Sequence, residues 1–103
     1  EIPQALNLQL NVSKNTGIFY EGFIALGCVI KGETYHFEIV SNETNRGLMK
    51  IALKNSCPLG NGIITAYDYD QALKRSFDKG REAALACFSL IKIKNCNNNV
   101  VKN

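Results

Sequence analysis

The chain has 103 residues, a net charge of +3 and 46% hydrophobic residues. That length fits one domain, 1–103, and the composition excludes wholesale disorder. The pI of about 8.7 comes without the clustered charge of a dedicated nucleic-acid binder, and no apolar run reaches the roughly 18 residues that span a bilayer.

Residues 5–12 (ALNLQLNV) place Leu6, Leu8, Leu10 and Val12 on one face and Asn7, Gln9 and Asn11 on the other. This alternation predicts a strand with a solvated face. Residues 13–17 supply a turn. Residues 19–30 are nearly all apolar, with only Glu21 charged. They read as a long strand buried on both sides, or as two short strands broken at Gly22. Lys31-Gly32-Glu33 is a turn. Residues 34–40 alternate again, with Tyr35, Phe37 and Ile39 facing one way and His36 and Glu38 the other. The two segments together predict a hairpin. The polar residues 41–47 read as an exposed loop, 48–54 as a further strand, 55–62 as a turn anchored by Cys57, and 63–67 as a short strand.

The hydrophobic period then changes from two to about 3.6. Tyr69, Leu73, Phe77, Gly80, Ala84 and Cys87 share one stripe, which predicts an amphipathic helix over 68–87. Asp68 and Gln71 form a capping pair at its start. Gly80 on the stripe would allow close approach to a sheet. Residues 90–94 read as a last strand, and the Asn-rich tail 97–103 as frayed. The fold class expected is α+β: an antiparallel sheet of five or six strands packed by one long helix on the C-terminal side.

Four cysteines, Cys28, Cys57, Cys87 and Cys96, make an even set without a C-x-x-C pair. Two disulfides are expected, and with them an oxidising, extracellular location. Cys57–Cys87 with Cys28–Cys96 is the favoured pairing, and Cys87–Cys96 is the local alternative. A four-thiolate zinc site is the competing reading, but no metal or cofactor is expected. The start at Glu1-Ile2-Pro3 reads as a chain after signal-peptide removal, or as one trimmed for expression. Asn11 and Asn42 stand in glycosylation tripeptides.

His36 is the single histidine. On a strand face it would stand about 7 Å from Glu38, an acid/base pair suited to phosphodiester cleavage. The bland alternative is two hydrated side chains. Asp68 and Asp70 are explained by helix capping, since their flanks make no calcium loop. Lys50 and Lys54 on one strand and Lys92 and Lys94 on another would form a basic patch for weak RNA contact if those strands were neighbours.

Tyr20-Glu21-Gly22-Phe23, then Tyr35-His36-Phe37-Glu38-Ile39, then 50–57 leading to Gly62-Ile63-Ile64-Thr65, stand in an order that resembles secreted fungal ribonucleases of the T1/F1 type. They resemble still more the catalytically dead relatives secreted as effectors by powdery mildews and similar plant pathogens. The family's catalytic Glu falls at His36, its Arg near Leu48 and its His at Ala66, so none of the three is kept. The family also places its helix before the sheet, whereas the helix expected here comes after it. The resemblance implies a secreted, non-enzymatic protein with no catalytic residue that binds a host protein, such as an immune receptor, outside or inside host cells; a monomer is expected. A small secreted ribonuclease using His36 and Glu38 is the second reading. A secreted toxin or inhibitor acting through the loop 41–47 is the third.

Overall fold

The computed structural model describes residues 1–102, and of 97–102 the backbone alone. The side chains of the expected frayed tail therefore lie outside the described residues, as does all of Asn103. Five elements occur in chain order: α1 (Ile2–Thr16), β1 (Phe23–Ile30), α2 (His36–Asn55), β2 (Leu59–Ala66) and α3 (Tyr69–Lys102). The two strands pair in parallel, from Phe23 beside Leu59 to Ile30 beside Ala66. Parallel neighbours need a crossover, and α2 is that crossover. The expected antiparallel sheet of five or six strands is thus replaced by a parallel pair with helices on both faces.

The reason lies in segments whose apolar residues satisfy two periods at once. In α1 the alternation at Leu6, Leu8 and Leu10 hides a second spacing, Ile2, Leu6 and Leu10. Leu6 is buried and Leu10 half-buried, whereas Leu8 is 63% exposed. Pro3 is tolerated in the first turn, where backbone N–H groups have no helical partner. Gly17, at φ 74, ends the helix in the left-handed conformation. In α2 the buried and half-buried positions Phe37, Ser41, Thr44, Leu48, Ile51 and Asn55 recur at helical spacing. One helix therefore absorbs most of the expected strand 34–40, the loop 41–47 and the strand 48–54. The residues expected as a strand at 90–94 continue α3.

One face of the sheet holds the core, where Leu6 and Leu48 pack with Ala25 and Ile63. Leu48 is only 1% exposed. On the other face α3 lies close over β2. A Cβ on Gly60 would overlap the carbonyl oxygen of Ala83, and one on Gly62 would meet the Ala83 methyl at 3.3 Å. Only small residues fit so near a strand, and the buried residues of α3 include Ala72, Ala83 and Cys87. Of the expected stripe, Cys87 alone is buried; Tyr69, Leu73 and Phe77 point to solvent, and Gly80 meets nothing within 4 Å. The helix start is as expected: the Gln71 N–H donates to Asp68 Oδ1 at 2.9 Å, and Gln71 Oε1 accepts from the Tyr67 N–H at 2.9 Å.

All four cysteines are free thiols. Cys28 and Cys96 are exposed, so neither the pairing of these two nor that of Cys87 with Cys96 is formed. Cys57 and Cys87 both approach the carbonyl oxygen of Pro58, at 3.6 and 3.8 Å, as thiols. The two disulfides expected from the even cysteine count are not formed.

Candidate active site

In open α/β sheets the crevice beyond the carboxyl ends of the strands is where ligands bind. Here that edge is made by the residues after Ile30 and after Ala66. The Lys31 N–H donates to the Ala66 carbonyl at 2.9 Å, tying the two strand ends together. The chain then runs Lys31-Gly32-Glu33-Thr34-Tyr35 into α2. The His36 N–H donates to the Thr34 hydroxyl at 3.4 Å, and the Glu38 N–H to the Tyr35 carbonyl at 3.1 Å. His36 opens α2 with its imidazole side exposed.

The residues that follow the two strands interact with one another. The Phe37 and Tyr67 rings stand 6.1 Å apart at 46°. Lys31 Nζ lies 5.6 Å from the centre of the Tyr67 ring and 3.9 Å from Glu38 Oε1. A cation is thus held at the mouth of the strands, between the Glu38 carboxylate and the Tyr67 ring. His36 and Glu38 do not face one another. Two residues along a helix are separated by about 200° of rotation, and Glu38 is turned to Lys31. The expected strand-face pair is dissolved by the change from strand to helix. Among the described residues no group of three His, Cys, Asp or Glu side chains gathers to hold a metal ion.

The expected basic patch is divided. Lys50 and Lys54 lie one turn apart on α2, and Lys92 and Lys94 point to different sides of α3. Lys54 and Lys94 nevertheless line one cavity with Lys14. Lys94 Nζ also donates to the Ser56 carbonyl at 2.9 Å, at the end of α2. Asn11 and Asn42 stand exposed on α1 and α2. Burial raises the pKa of the Cys57 thiol, with Lys94 opposing and Cys87 adding to that rise.

The sequence profile of the 6,7-dimethyl-8-ribityllumazine synthase family matches residues 1–95. The chain belongs to that family. It is 49% identical over 98 residues to the 6,7-dimethyl-8-ribityllumazine synthase of Agrobacterium fabrum, with 91% of this chain and 66% of that protein covered. The synthase of Afipia carboxidovorans is 49% identical over 98 residues, covering 91% and 60% respectively. Synthase 1 of Rhizobium meliloti is 47% identical, covering 91% and 64%. The chain therefore spans about 60–66% of the length of these relatives.

Membership of the lumazine synthase family overturns the resemblance to fungal ribonucleases and their effector relatives. The shared segments around Tyr20 and Tyr35 are short and apolar, and in the structure the second of them leads into a helix. The expected secretion, host-protein partner and monomeric state do not stand beside this family; the expected RNA contact rested on the basic patch, whose lysines lie on two helices and not on neighbouring strands. The non-enzymatic reading falls too, because the family is one of synthases. The ribonuclease and toxin or inhibitor alternatives fall on the same finding, and the expected toxin loop 41–47 is helix interior. A signal for the site was present: an apolar run, then Lys-Gly-Glu-Thr, then a histidine where the helical spacing Phe37, Ser41, Thr44, Leu48 begins.

Proposed function

We propose that this chain supplies the proton-transferring edge of a site that forms 6,7-dimethyl-8-ribityllumazine, the product for which its relatives are named. The family match over residues 1–95 carries this reading. The geometry offers a place for the chemistry, with His36 exposed at the carboxyl ends of the parallel strands. The product name describes a fused ring in which two methyl-bearing carbons are bonded to ring nitrogens. Closing such a ring joins amino nitrogens to carbonyl carbons and expels water, so protons must leave nitrogen and reach oxygen. An imidazole can do both near neutrality. In this reading His36 moves those protons, and the Lys31 ammonium, steadied by Glu38 and Tyr67, favours negative charge developing on the carbonyl oxygen.

The test supplies a ribitylamino-substituted diaminopyrimidinedione and a four-carbon dicarbonyl equivalent and tracks the lumazine by mass spectrometry. The expected outcome is product formation that falls by about 10²-fold or more in His36→Ala, the usual range for a lost acid–base group. Absence of product under conditions where the Agrobacterium fabrum relative turns over would refute the reading.

A further inference from the structure

At the opposite end of the sheet, where the strands begin, we propose a second binding site, for a planar ring that carries a phosphate, the chemistry of a mononucleotide. The cavity there is about 390 Å³, within the size range of small-ligand sites. Lys14, Lys54 and Lys94 converge on it from three different helices, and none of its lining residues is acidic. Among the described residues none of the three lysines is engaged in an ion pair. Lys14 and Lys54 stand in the last turns of α1 and α2, where each helix end presents about half a negative charge. Three ammonium groups against two such ends leave an excess of about two positive charges. A phosphate monoester carries about −1.5 to −2 near neutrality, which matches that excess.

The remaining wall is aromatic. Tyr20 and Phe23 stand 5.5 Å apart at 51°, and Phe19 beside them is 76% exposed. Their positions are set by the loop: the Ser13 hydroxyl donates to the Ile18 carbonyl, and the Gln9 amide donates to the Tyr20 hydroxyl at 3.3 Å. A flat ring stacked on this wall would set its phosphate among the lysines, the combination by which aromatic and basic side chains hold nucleotides.

The experiment is calorimetric titration of the protein with adenosine monophosphate, with adenosine and inorganic phosphate as separate arms. Saturable binding of the monophosphate is expected, with each fragment at least about tenfold weaker because it loses one half of the contact. Lys14→Ala and Lys54→Ala should each weaken binding about two- to fivefold, the range for exposed charge pairs. Lys50→Ala and Lys92→Ala, on helices that reach the cavity but outside it, should leave binding unchanged, as should His36→Ala at the far end of the sheet. No saturable binding of the monophosphate would overturn the proposal. So would equal weakening by the Lys50 and Lys92 variants, or affinity for single-stranded RNA that grows steadily with its length.

Discussion

Replacing Gly60 with alanine probes the closest approach in the fold. The added Cβ would overlap the Ala83 carbonyl oxygen and lie 2.7 Å from the carbonyl carbon. Carbon atoms in favourable contact stand about 3.5–4.0 Å apart, so α3 would have to retreat by roughly 1 Å. The obstacle is helix backbone, which cannot rotate aside as a flexible side chain can. Overpacking typically costs about 1–3 kcal/mol, and the upper end applies here. Gly80→Ala is the matched control, since a Cβ at Gly80 meets nothing within 4 Å. That substitution replaces a glycine inside an exposed helical segment and should stabilise by about 0.5–1 kcal/mol. Urea titration monitored by circular dichroism reads both. Gly60→Ala as stable as the parent, or Gly80→Ala less stable, would refute the account of how α3 sits on β2.

Leu48→Ala empties the most enclosed core position and should cost about 2–5 kcal/mol in the same titration. Asp68→Ala removes the acceptor for the Gln71 N–H and should cost about 1 kcal/mol, with helix content at the start of α3 falling first on heating. The raised pKa of the Cys57 thiol means a smaller thiolate fraction, so at pH 8 iodoacetamide should label Cys28 and Cys96 before Cys57, as timed mass spectrometry would show. The folded state favours the neutral Cys57 thiol, so its contribution to stability is complete below the ordinary thiol range. It is lost as pH rises through the folded pKa, and urea midpoints should fall there less steeply in Cys57→Ser.

Much of the site's location was written in residues 19–37, but in a form that two architectures share. The apolar stretch around Phe23–Ile30 announces a strand, and that strand forms. The next segment is ambiguous, because Tyr35, Phe37 and Ile39 fit a period of two while Phe37, Ser41, Thr44 and Leu48 fit 3.6. Burial decides between them, and burial depends on partners that a linear pattern does not show. The same holds for α1, where Leu8 completes an alternation yet stays in water. The capping pair at Asp68 and Gln71 was legible since its hydrogen bonds are local. The sheet-facing side of α3 was not, because large residues mark a core only when the neighbouring surface leaves room for them. Gly60 and Gly62 remove that room, so alanine takes the inside and Phe77 the outside. His36 drew notice as the lone histidine, but its role changes once it opens a helix and no longer decorates a strand.

The paired strands form a ribbon only two wide, and each has one flank with no strand beside it among the described residues. Along β1, Ile24, Leu26 and Ile30 are 46%, 62% and 40% exposed. Such a margin is adhesive: outward amide groups and greasy side chains both reward any extended segment that arrives. The protein's behaviour should therefore vary with its concentration. Dilute samples will leave this border wetted, while crowded ones will recruit it into association, so light scattering belongs beside every stability measurement made on the chain.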